Sequence, residues 1–510
     1  MHARATALVP LVALALALGA PLPAQAVDNA VDTQAAIGKA QEAAAREDCA
    51  GVLAALDPLV PGLAEGIERT LVQRMRLVCL GSVGRMADLS SVQNELAKAM
   101  PRDGLVQAFG ALIAADENRF TDAAEQIAVI ADTSPKALNI LTGASVRAIS
   151  IRLEEDQARE ARDRMLIALA RADWEPSDIP ELRIGFAEGA IGALIDKGEA
   201  AEAEGLLERI DQPEMLSAMV VDRHYAKLWP ALEARLGPAS GTSIDRFARD
   251  KLAVYGSSPS SEVALRDAVN AMLLLGRYQD VLDMSRDVPI AEGMSRDAVR
   301  TVLYRARALA ALRKNDEADA LLGAFQALDL RRSPAASTAL VSYAEFLDEI
   351  GRPAKALIVA RGTLTKAGGL LTDLGKRWLD RTEVCSLAAL GRTAEANSAM
   401  DALKAHADQN QPAAIEALLC ARRTAEASQI AVKAFQDDDI ASNLLPQFQP
   451  TGSLWAPTPS RLRDLWTGFI ARPEIKAAFE RKGRILPRSF WPGSAPRNIP
   501  RQPGSGASLT

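Results

Sequence analysis

Gly198-Glu-Ala-Ala-Glu-Ala203 lies between two apolar series at helical spacing, Ala187, Ala190, Ile191 and Leu194 before it and Leu206, Leu207 and Ile210 after it. Glycine can take the left-handed conformation that closes a helix, and acids in the next first turn favour the positive end of the helix that follows. Alanine five places on is small enough to let two helices approach closely. The hexapeptide therefore predicts a tight turn between two antiparallel amphipathic helices.

The same pattern recurs along the chain. Turns are expected at Gly84, Asn118, Asp156, Gly198, Gly276, Asn315, Gly351 and Gly391, each followed four places on, in most cases, by an acid and five places on by Ala or another apolar residue. Weaker copies begin at Asp48 and Arg422, and a double step between Gly198 and Gly276 places a hidden turn at Gly237. From 48 to 422 there are ten steps, so the period is about 37 residues. One such pair cannot bury both its faces; stacking about ten of them buries a continuous core and leaves an extended concave surface.

These residues resemble the tetratricopeptide repeat family, whose units end the first helix in a Gly-Asp or Gly-Asn type turn and carry a small residue five positions on. Pro101 and Pro135 stand near that family's closing proline. The resemblance covers most of residues 45–435 and extends to exported bacterial proteins of this kind. It implies an all-α fold, an α-solenoid of ten to eleven helix pairs over residues 27–440, with a protein or peptide partner held on the concave face. Residues 215–260 break the register, with Trp229-Pro230 and the loop Gly237–Ser243.

Repeat register also pairs the cysteines. Cys49 opens the second helix of one unit and Cys79 closes the first helix of the next; Cys385 and Cys420 sit on first helices of consecutive units. Two disulfides are expected, Cys49–Cys79 and Cys385–Cys420, each stabilising one region of the stack by about 2–4 kcal/mol. Such pairing fits an oxidising compartment. So does the start of the chain: Arg4, an apolar run from Ala7 to Ala20 and the small-residue ending Ala24-Gln25-Ala26 read as a signal peptide over residues 1–26. A periplasmic address is expected.

Charge is distributed unevenly. Residues 461–510 carry ten Arg or Lys against Asp464, Glu474 and Glu480, whereas the chain as a whole is acidic, at -6. An acidic body argues against nucleic acid as a partner; the basic tail either folds back on that body or docks on an anionic membrane surface through residues 461–501. A Pro-rich linker is expected at 441–460, a basic, aromatic helical segment at 461–486 that serves as a cap or as a docking helix, and a disordered tail at 487–510.

Chemistry-bearing motifs are sparse. His224 and His406 lack zinc-protease spacing, the cysteines lack zinc-ligand spacing, and no phosphate loop or nucleophile elbow occurs. The acidic runs Glu154-Glu155-Asp156 and Asp437-Asp438-Asp439 read as solvated charges beside turns. No catalytic residue, metal or cofactor is expected, and the chain reads as a binding scaffold. Two alternatives stand beside it: an accessory factor of cell-wall or outer-membrane assembly, and an enzyme with an unrecognised carboxylate site in the groove.

Overall fold

The computed structural model describes residues 24–450, 460–493 and 495–500. The expected signal peptide falls outside them except for residues 24–26, as do residues 451–459 of the expected linker and 501–510 of the tail. Every regular element among the described residues is helical, and one isolated bridge, Asp222 to Gly483, is the only extended pairing there. The chain is all-α and divides into two compact units, residues 1–210 and 211–510.

The first unit holds α1 (Ala24–Ala45), α2 (Cys49–Leu56), α3 (Ile67–Ser82), α4 (Met86–Ala99), α5 (Gly104–Asp116), α6 (Phe120–Thr133), α7 (Gly143–Glu155), α8 (Arg159–Arg171), α9 (Leu182–Asp196) and α10 (Ala200–Leu206). The second opens with α11 (Pro213–Val221), α12 (Trp229–Leu236) and α13 (Gly241–Ser257). Helix pairs follow: α14 (Glu262–Leu274) with α15 (Tyr278–Ser285), α16 (Arg296–Ala311) with α17 (Asn315–Gly323), and α18 (Ala336–Glu349) with α19 (Pro353–Ala367). Two more pairs are α20 (Asp373–Ala389) with α21 (Thr393–Lys404) and α22 (Gln411–Cys420) with α23 (Thr424–Ala434). The unit ends in α24 (Asp438–Leu444), α25 (Arg461–Ile470) and α26 (Pro473–Lys482).

One turn design joins most pairs. Gly84, Asn118, Gly198, Gly276, Gly351 and Gly391 have φ between 60° and 79°, and the next residue's N–H reaches back to the carbonyl five places earlier, as from Arg85 to Leu80 and from Arg352 to Leu347. That is the helix-closing bond of a Schellman motif. An arginine often follows the left-handed residue and pairs with the acid three places on: Arg85 with Asp88, Arg119 with Asp122, Arg277 with Asp280, Arg392 with Glu395 and Arg423 with Glu426. The acid thus serves the new helix's positive end and the arginine at its N-cap together.

At two turns the left-handed residue differs from the expected one. Gln157 (φ 58°) takes the position instead of Asp156, and Arg313 (φ 62°) instead of Asn315, which is the first residue of α17. Ala158 N–H still reaches Leu153, and Lys314 N–H reaches Leu309. Burial of the leucines fixes the register, and the backbone accepts a left-handed non-glycine residue at a cost of about 1–2 kcal/mol. The buried small residue after the second turn is accordingly Ala318, and Ala320 is exposed.

Gly237 is also left-handed (φ 69°), but Pro238–Ser240 form a 3-10 turn after it and α13 begins only at Gly241. This junction lies just beyond Ile210, where the array expected over 27–440 divides in two. Pro213 starts a short helix there, and the Schellman turn spaced about 37 residues from its neighbours is missing.

Within the second unit the first helices of successive pairs, α14, α16, α18, α20 and α22, pack in order on one another. The carboxyl-terminal segments complete the unit: α25 lies on α22, α26 on α23 and on the 3-10 turn Arg223–Leu228, and the turn Leu445–Phe448 on α11. Contacts therefore run from α11 through the pairs to α26 and back to the start. Two expected irregular stretches are ordered in consequence. Within 441–460, α24 and the turn after it bury Leu444, Leu445 and Phe448. Within 487–510, residues 487–493 and 495–500 lie by the turn Pro238–Ser240, α13 and the end of α14, with Ser240 Oγ donating to the Phe490 carbonyl at 2.5 Å and Arg497 N–H to the Leu275 carbonyl at 2.8 Å. A few directed bonds hold a proline-rich segment that has no periodicity to reveal it.

Candidate partner-binding surfaces

The second unit carries a file of alternating charge along its successive helices. Glu214 on α11, Arg307 on α16, Glu345 on α18, Arg381 on α20, Glu416 on α22 and Arg463 on α25 each act electrostatically on the next. Each member belongs to a different helix, so the repeat register sets one charge beside the next. At the centre Arg381 is fully buried, bonded to Glu416 and lying 3.4 Å from Asp348, with the Trp378 ring 5.7 Å from its guanidinium carbon. Burial works against its charge, but Glu416, Asp348 and Glu345 outweigh that and raise its pKa.

The basic, aromatic segment locks into the end of this file. Trp466 Nε1–H donates to Glu416 Oε2 at 2.6 Å, and the Arg461 guanidinium lies 2.7 Å from Asp348 Oδ1. Trp466, Phe469 and Phe479 are buried against Phe435 and Phe448. Of the two uses expected for residues 461–486, the structure displays the cap. Other tail cations pair with the acidic body: Arg484 with Glu233 at 2.5 Å, Arg497 with Asp245 at 2.7 Å, and Lys482 with Asp438.

Glu345 is the carboxyl in the file whose titration moves into the neutral range. Burial raises its carboxyl to about 7, against the pull of Arg381 and Arg307. Asp348 is raised by burial as well. A carboxylic acid near 7 could move a proton, which makes Glu345 the residue on which an enzymatic reading of the groove has to rest. It faces charges of its own chain on both sides.

A different surface is left open. The 3-10 turn Ala324–Ala327 and the loop after it stand away from α19 and enclose a cleft of about 390 Å³ over α18. Leu328, Leu330, Leu340 and Val359 supply apolar walls, and Gln326, Asp329, Arg331, Thr363 and Lys366 supply polar ones. Gly362 borders the cleft with nothing within 4 Å of where a Cβ would stand. Ile358, four residues before it on the same helix face, is 70% exposed. The first unit has a second concavity of about 340 Å³, lined by Gln107, Asp122, Glu125, Gln126 and Val129.

The disulfides join the expected cysteines, Cys49 to Cys79 with Cα atoms 4.9 Å apart and Cys385 to Cys420 at 5.0 Å. The second ties α20 to α22, the helices that carry Arg381 and Glu416. Glu154 and Glu155 are exposed and paired with Arg162 and Arg152, and Asp437 caps α24 through the Ile440 N–H at 3.1 Å. Sequence reading missed the charge file and the cleft. Neither repeats at the turn period, and the one local signal was a glycine inside the α19 pattern at position 362.

No family model matches this chain, and no curated protein matches it. Among solved structures, it is similar to yeast Tom70 at 12% identity and a TM-score of 0.32, over 88% of this chain and 96% of that one. It is also similar to the P58(IPK) TPR domain, at 11% identity and a TM-score of 0.20 over 88% and 97%. A third likeness is to Naa15/Naa10 bound to HypK-THB, at 11% identity and a TM-score of 0.25 over 79% and 68%.

Proposed function

We propose that this protein is a binding scaffold for a protein or peptide partner, and that the cleft between α19 and the loop before α18 is a principal contact site. One observation carries the reading: a cleft with apolar and polar walls stands open on α18 and α19 beside an exposed isoleucine, and α18 is held to α20 by the buried Asp348 and Arg381. A rigid framework under an open apolar cleft loses little entropy when a partner docks. At the centre of the charge file Arg381, Glu416, Asp348 and Trp466 partner one another, so the α19 cleft is favoured over the face that carries the file.

We assign the protein to the periplasm. The two disulfides support an oxidising compartment, and the pattern of residues 1–26 supports export. The test is a photo-crosslinking residue placed at Gly362 or Ile358 in cells, compared with one at the exposed Ile67 of the first unit. The reading expects discrete adducts with a partner protein from 358 and 362. Adducts that are absent from both positions, or equal to those from 67, would contradict it.

A further inference from the structure

The cations around the cleft are not equally matched. Arg332 pairs with Glu292 at 3.0 Å, Arg361 with Glu383 at 2.7 Å and Lys355 with Asp319 at 2.7 Å. Lys366, on the rim, makes no ion pair among the described residues. Arg331, on the opposite rim, has a side chain 89% exposed, and its nearest acid, Asp329, is 3.8 Å away. Asp329 is already engaged, since it accepts the Arg331 N–H at 3.0 Å and stands 3.9 Å from Arg332. The cleft thus combines aliphatic walls with one cation, Lys366, that has no ion-pair partner among the described residues, and a second, Arg331, whose acid Asp329 is shared with Arg332.

We propose that the occupant is an extended peptide segment in which an aliphatic side chain neighbours an acidic one. The aliphatic group sits on Leu330, Leu340 and Val359, and the carboxylate lies between Lys366 and Arg331. This rests on the reading that the cleft binds a partner. Charge complementarity selects the occupant: a basic segment meets Lys366 and Arg331 against the single acid Asp329, and a wholly polar one leaves the floor without apolar cover. Gly362 fits the same picture, because bare helix backbone lets an extended chain approach where a side chain would hold it off.

Fluorescence anisotropy on the full chain tests this with a labelled decapeptide carrying Leu-Glu-Leu-Asp within Gly and Ser. Two counterparts replace its acids by Lys or its leucines by Ser. The protein variants are Gly362→Leu, whose new side chain enters open space so that the helix is kept, and Lys366→Glu on the surface; circular dichroism verifies both. The acidic, aliphatic peptide is expected to bind, each counterpart to bind at least about tenfold more weakly, and each variant to lose about tenfold in affinity for it. Silence of that peptide, equal binding of the lysine counterpart, or unchanged binding by Gly362→Leu would overturn the proposal. A partner crosslinked from position 362 alongside a silent acidic peptide removes this occupant and leaves the cleft reading standing.

Discussion

Two glutamates show how placement decides the sign of an acid's effect. Glu426, held by Arg423 and Lys404, is lowered to about 2, so its contribution to stability is present above the ordinary carboxyl range and is lost as pH falls toward 2. Glu345 is raised to about 7 by burial, so the folded state prefers its protonated form. Its contribution is complete below about 4.5 and is lost as pH rises through 7. Melting temperatures at pH 5 and pH 8 should therefore show the second unit weaker at pH 8, and Glu345→Gln should shrink that difference; an unchanged difference would show that Glu345 does not titrate in this window. The two residues also mark what was legible. Glu426 follows a turn whose local pattern announces it, whereas the charges around Glu345 come mainly from three other helices and leave no trace in its neighbours along the chain.

Helix pairing was the most legible level. Each turn is encoded within six residues, and the bond that closes it spans five, so the elements from α3 to α9 and from α14 to α23 follow from local chemistry. Where the reading slipped, at Gln157 and Arg313, a propensity for glycine or asparagine gave way to the burial of a leucine face. Contacts among successive first helices were not legible, and there the largest energies reside. Arg381 bridges three of them, since its partners Asp348 and Glu416 belong to α18 and α22. Arg381→Met removes the shared partner of two buried carboxylates, leaving Asp348 with Arg461 and Glu416 with Trp466. It should destabilise the second unit by about 3–5 kcal/mol in denaturant titration. A loss below about 1 kcal/mol would mean that water already serves those acids.

At the scale of the molecule there are two self-contained all-α units, and the second is completed by the carboxyl-terminal segment. Arg484 shows how: its N–H bonds the Val221 carbonyl at 2.8 Å, its guanidinium lies 3.7 Å from the centre of the Trp229 ring, and it pairs with Glu233. Gly483 beside it has no room for a side chain, because a Cβ there would stand 2.3 Å from Leu445 and 2.9 Å from the Val221 carbonyl. Partners some 250 residues apart cannot be read from periodicity, which is why a tail with five prolines looked unstructured. The direct measurement is amide hydrogen exchange of α11, α12 and α13 in the full chain and in one ending at Lys482. Loss of the segment should speed exchange in those helices by tenfold or more while the first unit keeps its rates. Identical protection of α11–α13 in both chains would contradict the closure on which this account of the second unit stands.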